Sequence, residues 1–288
     1  MDSGRPHQGE APQDDRRPPA RPADRLGRVE VGVRHLVAAG ARHSVGVDDG
    51  GRVVHAGAAS SGEGLVDGLT GIVSVAAGSV HLEANTGRSH TVALRVDGTA
   101  VATGWDAHGQ CDVNSWTRLV AVAAGWRRTV GVRADGRAVA SGRRTDGACD
   151  VEIWRDVADA ARGDWHTVGL RDDGTVLAVG NDSRGQCEVA EWQGIVSVSA
   201  GSLHTVGLTA AGRIVFAGAC CGAEEEMAAQ GDVVSVAAGS HHTVALRSAL
   251  LRQSPRRWRR RRRSVRRRRM DRRGGHRRGR RTHPRSRR

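Results

Sequence analysis

Short apolar runs alternate with turn residues along most of the chain, and the whole pattern repeats. Its clearest copy is IVSVSAGSLHTVGLTAAGRIVFAG, from Ile195 to Gly218. In each copy an apolar run ends at a glycine, a short link leads to His-Thr-Val, and a turn precedes a second apolar run. The runs are short and rich in valine, and none has the 3.6-residue period of an amphipathic helix. This pattern predicts three or four short β-strands per repeat.

The glycine that ends the first run marks the length of the repeat. Successive copies are 38 residues apart except for one interval of 47, which a nine-residue insertion near Val80–Arg88 accounts for. A fixed period indicates a stack or ring of identical units, none of which can bury its apolar face alone. Six copies of this glycine are present, at Gly40, Gly78, Gly125, Gly163, Gly201 and Gly239.

The length and strand content of the repeat indicate the fold class. Four-stranded units repeated every ~40–50 residues are typical of β-propeller blades. A helical solenoid is disfavoured by the glycine, valine and turn content, and a β-helix has shorter coils. We therefore predict an all-β fold, a β-propeller of about six blades, with an incomplete ring of seven as the alternative. Asp-Gly pairs such as Asp97-Gly98 predict hairpin turns of type I′, with positive φ at both central residues.

The repeat resembles a known family. The string AAG-x-x-His-Thr-Val-Gly-Leu-Arg-x-Asp-Gly-Thr-Val-x-Ala-x-Gly, followed by Gly-Gln-Cys at 109–111 and 185–187, is similar to the RCC1 (regulator of chromosome condensation) repeat in its compact bacterial form. The resemblance covers residues 29–248 and implies a propeller, which in this family commonly has seven blades. The best-known eukaryotic member is a chromatin-bound nucleotide exchange factor for a small GTPase, whereas many bacterial members look like protein-binding propellers. Exchange activity depends on side chains outside the repeat pattern, so the resemblance implies the fold and leaves exchange activity as an analogy.

Charge divides the chain into three segments. Residues 1–28 are rich in Pro, Arg and Asp, and residues 249–288 contain 21 arginines and one acidic residue. Subtracting that +20 from the overall +14 leaves −6 for residues 1–248, so the repeat body is mildly acidic. Blocks of like charge repel and stay extended, so we expect the Arg-rich tail and the N-terminal segment to be disordered around a repeat domain at 29–248.

The tail interrupts the repeat in the middle of a hairpin. Asp-Gly is due at positions 249 and 250, where the chain has Ala249-Leu250. A shift of reading frame would produce such an Arg-rich ending. If the tail is genuine, we expect it to bind nucleic acid through phosphates, with little sequence preference and a steep dependence on salt. The arginines that would do so are Arg256, Arg257, Arg259, Arg260, Arg261, Arg262 and Arg263.

Several functional classes have no support in the sequence. The first 28 residues lack the apolar core of a secretory signal, and no run is long enough to span a membrane, so we expect a cytoplasmic monomer with reduced cysteines. No nucleophile elbow, phosphate-binding loop or zinc-protease helix is present, so we expect no catalytic residues and no cofactor. A binding protein is favoured over an enzyme.

The repeated histidines and cysteines are expected to be structural. A residue that occurs once per blade lies in a ring and does not converge on one ion, so we predict no metal site. We expect each histidine to order its loop by hydrogen bonding to backbone, and in the second repeat His81 and His90 are both candidates. The positions are His43, His90, His166, His204 and His242, with Arg128 in the remaining repeat, and the repeated cysteines are Cys111, Cys149 and Cys187. Trp116, Trp154 and Trp192 recur in register and are expected to pack in the core.

The strand order predicts a candidate binding face. In an up-and-down blade the first and third connections emerge at one end, opposite the Asp-Gly turns. Tryptophan and arginine concentrate in those connections, and both carry much of the binding energy at protein interfaces. We expect this face to bind an unidentified protein partner, and alanine at Trp126 and Trp165 to weaken capture without disturbing the fold; loop variation without a function is the alternative. The expected contact residues are Trp105, His108, Trp126, Arg127, Arg143, Arg144, Trp165 and Arg184.

Overall fold

The computed structural model describes residues 36–40, 42–78, 88–219, 222 and 224–248. The two terminal segments lie outside these ranges, as does the insertion near Val80–Arg88 apart from Arg88 itself. The disorder expected of the termini therefore stays a prediction. No helix in the part of the chain that the structure describes is long and apolar enough to span a membrane.

The described residues form six small antiparallel sheets, one per repeat, and this confirms the predicted all-β propeller fold. We call the sheets blades 1 to 6; blades 1 to 5 have three strands each, and blade 6 has two. A five-residue helix, α1 (Glu224–Ala228), precedes the last blade. The strands are β1 Val37–Ala39, β2 His43–Val47, β3 Val53–Gly57, β4 Ile72–Ala77, β5 His90–Arg95, β6 Ala100–Gly104, β7 Leu119–Gly125, β8 Arg128–Arg133, β9 Ala138–Gly142, β10 Val157–Arg162, β11 His166–Arg171, β12 Val176–Gly180, β13 Ile195–Ala200, β14 His204–Thr209, β15 Ile214–Gly218, β16 Val233–Ala238 and β17 Thr243–Arg247.

The Asp-Gly hairpins are tight, but the predicted type I′ turn is wrong. In blade 2 the Gly98 N–H donates to the Arg95 carbonyl at 3.0 Å, and the Arg95 N–H donates to the Thr99 carbonyl at 2.8 Å. Gly98 has φ +79°, whereas Asp97 is not in the left-handed region. This is a type I turn followed by a glycine bulge. Asp97 favours it because its Oδ1 accepts the Thr99 N–H at 2.9 Å.

The hydrophobic core lies between blades. One buried cluster joins Val92 and Leu94 of blade 2 to Leu119 and Val122 of blade 3, and comparable clusters fill the other junctions. The backbone joins the same neighbours, since the Leu119 N–H donates to the Gly98 carbonyl at 2.9 Å. Each blade is therefore stabilised by the next, as expected for a repeat protein.

The repeated tryptophans pack in the core as predicted, and each faces a glycine. Trp154 is 3% exposed, and a Cβ on Gly169 would lie 2.6 Å from its Cζ3 atom. The same pairing joins Trp116 to Gly131 and Trp192 to Gly207. Where the tryptophan position holds a smaller residue, the facing position can hold alanine. These smaller pairs are Leu69 with Ala93 in blade 2 and Gln230 with Ala245 in blade 6.

The glycine that marks the repeat is required by close contact between blades. A Cβ on Gly201 would lie 2.5 Å from the carbonyl oxygen of Gly239 in the next blade and 2.6 Å from Nδ1 of His204. Gly40 approaches the Gly78 carbonyl in the same way, at 2.5 Å. Real Cβ atoms do not come this close to backbone, so the junction admits only glycine.

Gly201→Ala is therefore expected to destabilise the propeller by about 3 kcal/mol or more, because backbone of the next blade must move to admit the methyl group. Urea unfolding followed by circular dichroism measures the change. Gly231→Ala is the matched control, since a Cβ added at Gly231 would meet no atom within 4 Å and its φ is ordinary. A cost below ~1 kcal/mol for Gly201→Ala would contradict this account of the junction.

Candidate partner-binding face

The links between first and second strands lie at the same end of the blades as the exits of the third strands. In blade 3 Arg128 is the register partner of both Gly125 on β7 and Gly142 on β9. In blade 4 His166 is paired with Gly180 on β12. We call this end the loop face, and the Asp-Gly turns lie at the opposite end.

Six of the expected contact residues come together on the loop face at the junction of blades 2, 3 and 4. The Trp126 and Trp165 rings meet edge to face with centroids 4.7 Å apart, and Trp105 meets His108 at 5.3 Å. The Arg127 guanidinium lies 3.9 Å from the Trp126 ring centroid and 5.3 Å from that of Trp105. We call Trp105, His108, Trp126, Arg127, Arg143 and Trp165 the Trp–Arg cluster.

Arg143 completes the cluster from the exit of β9. Its guanidinium lies 5.7 Å from the Trp126 centroid and 5.9 Å from the Trp165 centroid, within range of cation–π attraction. Trp126 is only 2% exposed, so it forms the floor of the cluster, whereas Trp165 and the two arginines are half-buried. The expectation that Trp126→Ala would leave the fold intact is therefore wrong, because its loss would open a cavity.

Arg127 and Arg143 concentrate positive charge in the cluster. Burial and then the charge of Arg143 lower the pKa of Arg127. Burial, followed by the charges of Arg127, Arg143 and Arg128, lowers the pKa of His108. Among the described residues no carboxylate forms a salt bridge with Arg127 or Arg143, and the Arg127 Nε is buried without a hydrogen-bond partner. The Arg127 backbone is also strained, with φ +63°.

The other two expected contact residues lie outside the cluster. Arg144 is exposed, and its guanidinium pairs with Glu152 at 3.1 Å. Arg184 is exposed as well, and its backbone N–H donates to Oε1 of Gln186 in the same loop. The tail arginines expected to bind nucleic acid lie outside the described residues.

The repeated histidines bridge blades through a threonine hydroxyl, a partner that the expected bonding to backbone did not include, although His90 also has a hydrogen bond to the Arg128 backbone. The His166 Nε2 lies 2.8 Å from Oγ1 of Thr205 in the next blade. The Thr205 hydroxyl donates to the Gln186 carbonyl at 2.7 Å, so it must accept from a protonated Nε2. The same bridge recurs between His43 and Thr91, His90 and Thr129, and His204 and Thr243. In blade 2 His90 makes it, and His81 lies outside the described residues.

These histidines are neutral. Burial, followed by the charge of Arg162, lowers the pKa of both His90 and His166 to about 3. Burial also raises the pKa of the Cys111 and Cys187 thiols to about 12, so neither is a thiolate. No group of three or more His, Cys, Asp or Glu side chains in the described ranges could hold a metal ion.

Arg128 is a buried residue whose role the sequence did not indicate. Its Nε donates to the Arg143 carbonyl at 2.8 Å, one of its terminal nitrogens donates to the Asp164 carbonyl at 2.9 Å, and the other pairs with Asp146. In blade 2 the equivalent of that first bond comes from a glutamine, whose Nε2 donates to the Trp105 carbonyl at 2.7 Å. The blade 3 loop has Ala148 at the glutamine position. Blade 3 therefore departs from the repeat twice, with Arg128 in place of histidine and Ala148 in place of glutamine, and the two changes compensate each other. Their occurrence in the same repeat is the sequence feature that could have indicated the role of Arg128.

Comparisons with known proteins agree with the fold. The family model described as "Regulator of chromosome condensation (RCC1) repeat" matches residues 157–186, which span blade 4. A search of curated protein sequences finds no match to the chain. Among solved structures, the chain is similar to yeast RCC1 (Prp20) bound to Kap60, at 17% identity and TM-score 0.56, over 73% of this chain and 67% of that one.

Two further structures show the same likeness. Human WBSCR16 is 19% identical with TM-score 0.59, and the match covers 75% of this chain and 72% of that one. The ectodomain of the Physcomitrella patens receptor kinase CR4 is 18% identical with TM-score 0.57, over 74% of this chain and 58% of that one. At these identities the likeness concerns the fold. The chain thus contains an RCC1 repeat at residues 157–186 and has a fold similar to that of the RCC1 β-propellers.

Proposed function

We propose that this chain is a non-enzymatic scaffold that binds an acidic segment of a partner protein at the Trp–Arg cluster. The observation that carries the proposal is the pair Arg127 and Arg143, which share the Trp126 ring and have no salt bridge to a described carboxylate. A propeller of RCC1 type supports protein interaction in general terms. One similar structure, Prp20p from Saccharomyces cerevisiae, is described with its binding to Gsp1p and histones.

The chemistry of the cluster favours carboxylates over other groups in a protein partner. Two guanidinium groups offer planar pairs of N–H donors that match the geometry of a carboxylate. Burial and then the charge of Arg143 lower the pKa of Arg127, and a bound anion would offset the repulsion between the two guanidinium groups. The half-buried rings of Trp105 and Trp165 offer apolar area beside that anion, so an acidic residue next to an apolar one would fit.

The test compares two double variants that remove the same charge from the loop face. Arg127→Asn with Arg143→Gln is expected to weaken binding of a peptide of alternating Glu and Leu at least about tenfold, or about 1.4 kcal/mol. Asparagine is chosen because it tolerates the left-handed backbone at position 127. Fluorescence anisotropy with the labelled peptide measures the affinity.

Arg144→Gln with Arg184→Gln is the matched control, because both side chains are exposed and lie outside the cluster. It is expected to change the affinity less than about twofold, since exposed charges are screened by salt. Equal losses in the two double variants would reduce the binding to general electrostatics and contradict the proposal. Equal affinity for a peptide of alternating Lys and Leu would do the same.

A cytoplasmic location fits a scaffold with free thiols at Cys111, Cys149 and Cys187. Nucleotide exchange on a small GTPase rests on family analogy alone.

A further inference from the structure

The part of the Trp–Arg cluster around Trp126 is assembled from three segments of chain in two blades. Trp126 and Arg127 lie on the link between β7 and β8, Arg143 follows the end of β9, and Trp165 lies on the link between β10 and β11 of blade 4. Backbone joins the first two segments, since the Arg143 N–H donates to the Arg127 carbonyl at 3.0 Å. The position of Trp165 relative to Arg143 depends on contacts that cross the junction between blades 3 and 4.

One buried side chain makes hydrogen bonds on both sides of that junction. Arg128 is 0% exposed, its Nε donates to the Arg143 carbonyl at 2.8 Å, and a terminal nitrogen donates to the Asp164 carbonyl at 2.9 Å. Asp164 directly precedes Trp165 in the chain. Because both donors belong to one rigid planar guanidinium group, the two carbonyl groups are held at a fixed separation. Arg128 therefore connects the segment that carries Arg143 to the segment that carries Trp165.

The repeat has histidine at this position in the other blades, and that histidine bonds a different partner. The His166 Nε2 lies 2.8 Å from Oγ1 of Thr205, on the second strand of blade 5. The exit of the third strand is bonded separately in blade 2, where Gln110 Nε2 donates to the Trp105 carbonyl at 2.7 Å. In blade 3 one arginine bonds both the exit of its own blade and the link of the next blade. The Trp–Arg cluster lies at the junction where this substitution occurs.

Arg128 also balances the charge of the acid nearest to Arg143 in the chain. Its second terminal nitrogen pairs with Asp146, whose side chain is only 11% exposed. Asp146 follows Arg143 by three residues, yet no salt bridge between described residues joins the two. Because Arg128 occupies this carboxylate, Asp146 does not compete with a bound acidic segment for the Arg143 guanidinium.

We infer that Arg128 is a positioning residue, which fixes Arg143 of blade 3 and Trp165 of blade 4 in the arrangement that binds an acidic segment. The inference rests on the proposed function and assigns part of its affinity to a residue that is too deeply buried to touch the ligand. Side chains that are ordered before binding lose less conformational freedom when the ligand arrives, so their fixed arrangement increases affinity. A merely structural Arg128 could be replaced by any side chains that satisfy the same blade.

A triple variant separates the two roles. Arg128→His with Ala148→Gln restores the side chains found in blade 4, His166 and Gln186, and Asp146→Asn removes the carboxylate that would lose its partner. One cation and one anion are removed together, so the net charge of the loop face at pH 7.5 does not change. The introduced glutamine can still donate to the carbonyl of residue 143, whereas the bond across the junction to blade 4 is lost.

The triple variant is expected to fold and to bind the labelled peptide of alternating Glu and Leu at least about fivefold more weakly than the wild type. Fluorescence anisotropy measures the affinity, and urea unfolding verifies that the variant is folded at the temperature used. The near-ultraviolet circular dichroism of the Trp126–Trp165 pair, whose rings now meet at 4.7 Å, is expected to weaken while the far-ultraviolet spectrum is unchanged. A merely structural role would leave both the affinity and the near-ultraviolet signal as in the wild type.

Arg128→Lys is the second variant and carries the test if the triple variant does not fold. Lysine keeps a cation beside Asp146, but its single ammonium group cannot reproduce the fork that bonds both carbonyl groups. The same loss of affinity is expected. His204→Gln is the matched control, because it changes a bridge between blades 5 and 6, away from the cluster. It should bind within about twofold of wild type even if it is less stable.

Two results overturn the inference. One is a folded triple variant, or a folded Arg128→Lys variant, that binds the peptide within about twofold of wild type. The other is a near-ultraviolet spectrum of the triple variant that matches the wild type. Failure of the wild-type chain to bind the peptide would contradict the proposed function instead, and the near-ultraviolet comparison would still decide whether Arg128 positions the Trp126–Trp165 pair.

Discussion

Lowering the pH from 7 to 5 is expected to destabilise the propeller by about 4 kcal/mol, before most carboxylates titrate. His90 and His166 have a pKa of about 3 in the folded protein against 6.5 in the unfolded chain. Below pH 6.5 the unfolded chain therefore binds protons that the folded protein excludes. Each of the two costs about 1.4 kcal/mol for every pH unit below 6.5, and this stability is present in full above that pH.

The remaining bridging histidines add to the loss. Burial is the largest cause of the lowered pKa at both His43 and His204, so their contribution has the same sign. The folded ring cannot accept a second proton easily, because the Nδ1 atoms of His43, His166 and His204 are buried without a hydrogen-bond partner. Protonation would place a charge there that neither water nor an acceptor stabilises.

Urea unfolding at pH 7.5, 6.5, 5.5 and 5.0 measures this dependence. His166→Gln keeps an N–H donor that can reach the Thr205 hydroxyl but does not titrate. Its slope of unfolding free energy against pH should therefore be shallower by about 1.4 kcal/mol per pH unit below 6.5. An unchanged slope would mean that His166 is protonated in the folded protein.

Replacing Arg128 by methionine is expected to cost about 3–5 kcal/mol, as removal of one partner from a buried ion pair does. The side chain is fully buried, and its loss would leave Asp146 without its cation and two carbonyl groups without donors. Chemical denaturation at pH 7.5 measures the cost. Arg184→Met is the control, because Arg184 is exposed, and it should stay within about 0.5 kcal/mol of wild type.

The repeat itself suggests a compensating variant. Arg128→His alone should be strongly destabilising, whereas Arg128→His together with Ala148→Gln restores the pair of side chains found in blade 4, His166 and Gln186. The added glutamine can donate to the carbonyl of residue 143, as Gln110 does to Trp105. The double variant should therefore be more stable than Arg128→His by at least ~1 kcal/mol. A double variant no more stable than the single would show that the two departures are unrelated.

Strand positions and repeat length were predictable because each blade is built from neighbouring segments of chain. A strand, a link and a hairpin recur in the same order, so the pattern at Ile195–Gly218 suffices to place all six blades. The turn type was not predictable from Asp97-Gly98, because the choice depends on the bond from Thr99 to the Asp97 carboxylate. The histidine partners were missed for a related reason, since Thr205 lies 39 residues beyond His166 and in another blade.

The candidate site was predictable only in outline. Strand order placed Trp105, Trp126 and Trp165 at one end of the blades, and their side chains do meet there. It did not distinguish them from Arg144 and Arg184, which lie at the same end but turn toward Glu152 or solvent. Which residues share a junction depends on the directions of side chains across blades, and a repeat pattern does not specify those directions.

The sequence by itself determined the all-β class, the number of repeats and the positions that must be glycine or tryptophan, because these follow from a period that occurs six times along the chain. Only the tertiary structure decided that Arg128 makes the bond that a glutamine makes in blade 2, that Trp126 lies beneath Arg127, and that Trp165 meets Trp126. The physical reason is common to all three. Each depends on packing between neighbouring blades, and local sequence preferences do not encode contacts that form only after the blades stack.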